Sequence, residues 1–123
     1  MDLEISCDDK EGVIIGIPRG DIDLEFIKSA AIKMWEASPG EDARILWDMR
    51  NCRLRVQTPD IRVWAEFAKT KAPHRRARIA FVADEDLEFG LLRMLNAFRD
   101  RDDTQIELTI CRDIDAAMVW LKR

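Results

Sequence analysis

Asp48 and Arg50 are the residues whose types and spacing first suggest chemistry. They follow the apolar run Ile45–Trp47, which predicts a central strand, so both lie at or just beyond its carboxyl end. Ligands of open α/β sheets bind at that edge, and an aspartate and an arginine two residues apart could hold a polar ligand there. The two side chains could equally pair with other charges, as such residues commonly do, or close the ends of nearby helices. We favour this structural interpretation.

A dense basic cluster lies between the second predicted helix and the strand that follows it. Its members are Lys69, Lys71, His74, Arg75, Arg76 and Arg78, of which the first five form the candidate anion patch. A solvated loop at a helix C-terminus, where the helix dipole favours cations, explains the cluster without a ligand. The alternative is a patch for an anion, a membrane surface or an acidic partner. We favour the solvated loop, and we expect no nucleic-acid partner, because the net charge is −4 and no aromatic residues are interleaved.

The remaining chemically capable side chains do not form a catalytic or metal-binding motif. His74 is the only histidine, and it stands in a charged loop without the spacing of a metal site or a catalytic triad. Cys7, Cys52 and Cys111 are too far apart for a C-x-x-C motif and are expected to be small buried hydrophobes. We therefore predict no enzyme, no catalytic residue, no metal and no cofactor.

Several further residues could contribute to a ligand or partner surface. Thr58 precedes Pro59, a pair typical of a helix start with threonine as the N-cap. Gly90 lies inside a predicted helix, where glycine costs ~1 kcal/mol relative to alanine, so close packing on the sheet or close approach of a partner should compensate. Trp64 suits a core position unless it faces outward, where a protein or an apolar ligand would be its partner. The candidate surface comprises Asp48, Arg50, Thr58, Trp64, Phe89 and Gly90.

These residues must be positioned by alternating strands and amphipathic helices. The predicted strands are residues 3–7, 13–17, 43–49, 77–83 and 105–110. Helices are expected to begin near Asp21, Thr58, Asp84 and Asp113, and Pro18–Gly20 is expected to end the second strand. The order β-β-α-β-α-β-α-β-α predicts a hairpin followed by right-handed parallel crossovers.

The length of 123 residues predicts a single domain spanning residues 1–123. No basic-then-apolar signal segment begins the sequence, and no apolar run approaches the ~20 residues that span a bilayer. We therefore expect a cytoplasmic protein.

Three stretches carry a family resemblance when their order and spacing are taken together. They are Leu46–Arg50, the run Ala80–Asp84 followed by Phe89–Met94, and Cys111–Leu121. The chain resembles the SpoIIAA-like (STAS/SEC14-type) domains of the STAS-like superfamily. The resemblance implies an α/β fold with a five-stranded mixed sheet whose first strand is antiparallel.

The resemblance also exposes a departure. In anti-sigma-factor antagonists of the wider superfamily, the strand matching Ile45–Asp48 leads into a phosphorylatable Asp-Ser-Ser-Gly turn. The matching stretch here, Val56–Pro59, contains neither serine nor glycine. Thr58 could take the acceptor's place, but its expected capping role and the adjacent proline argue against phosphorylation.

Two functions remain open from the sequence. The first is a non-enzymatic interaction or regulatory module that binds a protein partner, and the second is a domain that binds a small apolar or lipid-like ligand. We also expect a homodimer, formed through an apolar helix face around Trp64, Phe67 and Phe89.

Overall fold

Strands and helices alternate along the chain in a computed structural model that describes residues 2–8, 10–38, 40–73, 75–99 and 105–123. The strands are β1 (Asp2–Asp8), β2 (Val13–Ile22), β3 (Asp42–Asp48), β4 (Cys52–Leu54), β5 (Arg76–Val82) and β6 (Ile106–Cys111). The helices are α1 (Leu24–Glu36), α2 (Thr58–Lys71), α3 (Asp86–Phe98) and α4 (Ile114–Leu121).

All the strands form one mixed sheet in the order β1-β2-β3-β5-β6, with β4 attached to β2. β1 is antiparallel to β2, whereas β2–β3, β3–β5 and β5–β6 are parallel. The predicted α/β architecture, including its antiparallel first strand, is confirmed. The one addition is the three-residue β4, inside a segment that we predicted to be a loop.

The extra strand exists because β2 is longer than its sequence suggests. Pro18 was expected to break β2, but it lies opposite Leu3 of β1 and the strand continues to Ile22. The β2–β3 ladder has already ended at Gly16, so the missing N–H of Pro18 interrupts no bond on that side. The extension Gly20–Ile22 then pairs in parallel with Cys52–Leu54.

The sheet has two unequally covered faces. Ile45 and Trp47 of β3 belong to the larger core cluster, which also contains buried residues of α1, α2 and α3. Leu46, between them, points the opposite way into a smaller cluster with Ala117 and Leu121 of α4. Three helices therefore cover one face, and the eight-residue α4 covers part of the other.

The N-cap residue agrees with the prediction for α4 and differs by one or two residues for the other helices. Asp113 accepts a hydrogen bond from Ala116 N at 2.8 Å, as predicted for α4. α1 is capped by Asp23, two residues after the predicted Asp21, with Phe26 N donating at 2.9 Å. The predicted caps of α2 and α3 were each one residue off, because Gln57 and Glu85 hold the N-cap positions.

α3 packs on the core largely through the apolar residues that repeat at helical spacing. Leu95 is buried and Leu91 and Met94 pack against the core cluster, whereas Leu87 is 65% exposed. Gly90 is exposed, and a Cβ added there would meet no atom within 4 Å. The expectation of close packing at Gly90 is therefore wrong. Gly16 shows that constraint instead, since a Cβ there would lie 2.5 Å from Sδ of the buried Met34.

We expect Gly90→Ala to raise the free energy of unfolding by about 0.5–1 kcal/mol, because alanine restricts the unfolded chain and meets no obstacle on the helix. Gly16→Ala is the contrasting control and should lower it by about 1–3 kcal/mol, since Met34 must move within a packed core. Urea denaturation followed by circular dichroism measures both. A loss of stability in Gly90→Ala would show that the glycine has a role that its open surroundings do not reveal.

Candidate functional site

Asp48 and Arg50 form a closed ion pair at the carboxyl end of β3. Nε of Arg50 donates to Oδ1 of Asp48 at 2.8 Å, and an Nη atom donates to Oδ2 at 2.9 Å. The backbone N–H of Arg50 also donates to Oδ1, at 3.2 Å. Both oxygens of a carboxylate that is only 4% exposed are thus engaged within the same turn. The sequence placed these residues together correctly, and the structure favours mutual pairing over a vacant ligand site.

The electrostatics of the pair agree with its geometry. Burial of Asp48 opposes ionisation, but the hydrogen bonds and positive charge of Arg50 outweigh burial and hold the pKa of Asp48 below its ordinary value. The hydrogen bond to Asp48 in turn raises the pKa of Arg50. A carboxylate that stays ionised and fully engaged is poorly suited to act as a general acid or base at neutral pH.

The neighbouring thiol is also unsuited to catalysis. Cys52 is buried, donates to the carbonyl oxygen of Met49 at 3.4 Å, and has a pKa that burial raises to about 12. Burial likewise raises the pKa of Cys111. Neither thiol is activated as a thiolate nucleophile near neutral pH. Cys7, by contrast, is exposed, so the expectation that all three cysteines are buried is wrong for this one.

The other residues of the candidate surface do not form one patch. Trp64 is 3% exposed and meets the ring of Phe81 edge-on at 5.8 Å, because Ile61 and Trp64 form the core-facing side of α2. Trp64 is therefore excluded from any exposed partner surface. Thr58 is exposed in the first turn of α2, and Phe89 is half-buried beneath the guanidinium of Arg112, 3.8 Å from its ring centroid.

An apolar groove lies between α1 and α2, and the sequence pattern did not reveal it. Trp35 of α1 stacks on Phe67 of α2 with ring centroids 5.5 Å apart, and both side chains are half-buried. Ile32, 43% exposed, lines the groove with them, and its volume is 500 Å³. Glu36 and Lys71 supply its charged residues. The sequence signal for this groove is weak, because Ile32 is a single apolar residue at an exposed position of α1.

A small apolar cavity lies deeper, between the three helices and the sheet. Its volume is 70 Å³, and Trp47, Trp64 and Phe81 are among its lining residues. The charged side chains that line it are Lys69 and Arg99. The volume is well below the ~300–1,000 Å³ of typical sites for drug-sized ligands.

Comparison with solved structures establishes the fold. An uncharacterised protein of the DUF3478 family from Shewanella loihica PV-4, described as having a SpoIIAA-like fold, superimposes with a TM-score of 0.62. The sequences are 17% identical, and the alignment covers 98% of this chain and 92% of the other. This chain has a SpoIIAA-like fold. No protein-family model matches the sequence, and no curated protein matches it either.

The SpoIIAA-like fold separates the basic cluster that looked continuous in sequence. Lys71 lines the α1–α2 groove and Lys69 lines the apolar cavity, both on the side of the three helices. Arg75 and Arg76 instead line a cleft at the amino ends of β3, β5 and β6. His74 lies outside the described residues.

The described residues contain neither a metal-ligand cluster nor a membrane-spanning helix. Within the described ranges, no three His, Cys, Asp or Glu side chains come together as metal ligands. None of the helices in the same ranges is both long and apolar enough to cross a bilayer.

The Asp48–Arg50 pair generates a pH-dependent prediction. Arg50→Gln should lower the free energy of unfolding by about 1–3 kcal/mol at neutral pH, because it leaves a buried carboxylate without its charged partner. The folded-state pKa of Asp48 is lowered, so this stabilisation is present above the unfolded pKa of ~4 and is lost as the pH falls through the folded value.

Denaturant titrations near neutrality and in acid should therefore show the difference between wild type and Arg50→Gln shrinking below about pH 4. Arg55→Gln is the matched control, since Arg55 forms an exposed pair with Asp21 at 3.2 Å that should contribute less than ~1 kcal/mol. A difference that does not change with pH would contradict the assignment to Asp48.

Proposed function

We propose that this SpoIIAA-like chain is a non-enzymatic, cytoplasmic interaction module that binds a protein partner through the α1–α2 groove. Three properties of the described residues support a binding role over catalysis. Asp48 is engaged by Arg50, the Cys52 thiol has a high pKa, and no metal-ligand cluster is formed within the described ranges.

The observation that carries the proposal is the half-exposed Trp35–Phe67 stack beside Ile32. Aromatic side chains at the centre of an apolar patch are the residues that most often dominate the binding energy of protein interfaces. Folding has already fixed these two rings against each other, so little side-chain freedom is lost when a partner binds.

The groove favours an amphipathic helix as the bound segment. It runs between two packed helices, which is the geometry that accepts a third helix with apolar anchors at i, i+3 and i+4. Glu36 and Lys71 carry opposite charges, so a partner helix with one basic and one acidic residue flanking its apolar anchors is complementary.

Ile32→Glu tests the groove directly. A carboxylate at this position must be desolvated against the aromatic stack when the partner binds, which should weaken binding at least about tenfold. Val119→Glu is the matched control, because Val119 is an exposed aliphatic residue, 63% exposed, on α4. The measurement compares affinity captures by wild type and both variants, followed by calorimetry with the purified partner.

The proposal expects a protein that wild type and Val119→Glu bind equally and that Ile32→Glu does not bind. Equal capture by all three forms would overturn it. A second copy of the chain is the competing occupant, as expected from the sequence, and light scattering distinguishes it. A dimer that Ile32→Glu dissociates would assign the groove to self-association.

The apolar cavity supports a second candidate, a site for a small apolar ligand. Its enclosure by aromatic side chains favours this candidate, while its 70 Å³ volume limits the ligand to a small one. If the cavity binds such ligands, xenon under pressure, which is smaller than benzene, raises the melting temperature of wild type but not of Ala68→Leu, which fills the cavity. Ala97→Leu, at an exposed position of α3, is the control, and no stabilisation of wild type by xenon rules the candidate out.

A further inference from the structure

On the face of the sheet that carries α4, the described residues leave the amino ends of β3 and β5 only partly covered, with Arg44 half-buried and Arg76 exposed. α4 packs on Leu46, Ala80 and Val82, which lie toward the carboxyl ends of β3 and β5. Side chains alternate along a strand, so Arg44 projects from the same face as Leu46, and Arg78 from the same face as Ala80. The uncovered part of this face therefore displays arginines.

Strand register brings those arginines together. Arg44 of β3 lies beside Arg78 of β5, and Arg76 follows on the same face two residues before Arg78. Like charges on neighbouring strands destabilise a sheet, so this arrangement is not favourable for folding alone. It is also unexpected in a chain whose net charge is −4.

Arg78 is held in place by its neighbours. Its Nε lies 2.9 Å from a carboxylate oxygen of Glu107, an Nη atom donates to the carbonyl oxygen of Arg123 at 2.9 Å, and its guanidinium lies 4.5 Å from the ring centroid of Trp120. In the described part of the chain, the side chains of Arg44, Arg75 and Arg76 form no ion pair. Three guanidinium groups therefore remain available around one that is fixed.

These side chains line a cleft of 670 Å³, a volume within the ~300–1,000 Å³ typical of small-molecule sites. Arg44, Arg75, Arg76, Arg78 and Arg123 line it, against the carboxylates of Asp42 and Glu107. Among the described residues its lining includes no large apolar side chain, which distinguishes it from the α1–α2 groove. Guanidinium groups bind phosphate oxygens through paired hydrogen bonds, and several of them match a ligand with more than one phosphate.

We infer that this arginine cleft is a binding site for a ligand carrying two or more linked phosphate groups. Arg44 and Arg76 contact the phosphates, and Arg78 is a positioning residue whose orientation is set by Glu107 and Trp120. The site lies at the amino edge of the sheet, opposite the carboxyl edge where ligands of open α/β sheets are usually found.

Inorganic tripolyphosphate is the first probe, titrated by calorimetry at fixed ionic strength because phosphate contacts are screened by salt. The test variant is Arg44→Gln/Arg76→Gln, which removes two cleft charges. Arg53→Gln/Arg93→Gln is the control, since it removes two exposed arginines that do not line the cleft and changes the net charge equally. We expect the test variant to bind at least about tenfold more weakly and the control to bind like wild type.

A second arm identifies the source of the phosphate. Phosphatidylcholine vesicles containing a phosphoinositide with several phosphates should compete with tripolyphosphate if the ligand is a lipid headgroup, and should not compete if it is a free metabolite. Either result supports the site when the test variant abolishes binding.

Three outcomes would overturn the inference. One is no binding of tripolyphosphate by wild type, and another is equal weakening in the test and control variants, which would indicate unspecific attraction. The third is binding of poly-glutamate in preference to tripolyphosphate with the same dependence on Arg44 and Arg76, which would assign the cleft to an acidic protein segment. Circular dichroism confirms that each variant is folded before titration.

Discussion

Burial of β3 on both faces is the constraint on which the rest of the structure depends. The strand pairs in parallel with β2 on one side and along its full seven residues with β5 on the other. Ile45 and Trp47 then require cover from one side of the sheet and Leu46 from the other. Apolar side chains this large stabilise the fold by roughly 1.5–3 kcal/mol each when fully buried, so neither face can be left open at this point.

Helices cover the two faces of the sheet unequally. The surfaces on the two sides of the molecule differ for this reason. Three helices on one face leave a groove where α1 and α2 meet, and two stacked aromatic rings line it. The short α4 on the other face packs toward the carboxyl ends of β3 and β5, and the described residues leave the amino ends of these two strands partly exposed. An uncovered sheet surface must carry polar side chains, and here most of the charged ones are arginines. The apolar groove and the arginine cleft therefore both follow from how helices are distributed over one sheet.

Local patterns predicted the elements well, and contacts between distant residues defined what the sequence missed. The continuous apolar run at Ile45–Trp47 is sufficient to predict a strand buried on both faces, and it proved correct. β4 was missed because a three-residue strand has no readable period and depends on the extension of β2. The arginine cleft was partly predicted from the sequence, because Arg75 and Arg76 belong to the basic cluster. Arg44 could not be predicted to lie near them, because it reaches them only through the β3–β5 register.

The Asp48–Arg50 pair shows why an aspartate and an arginine at a typical ligand-binding edge need not bind a ligand. The sequence placed an aspartate and an arginine at the edge where α/β proteins bind ligands, and the structure places them there as well. Yet burial makes an unpaired carboxylate costly, and an arginine two residues away is close enough to close a bidentate pair within the turn. The carboxyl edge is thereby engaged in holding the end of β3. Binding capacity is then expected where side chains are not engaged in this way, at the half-exposed rings of the α1–α2 groove and at Arg44 and Arg76 of the cleft, which form no ion pair with another described residue.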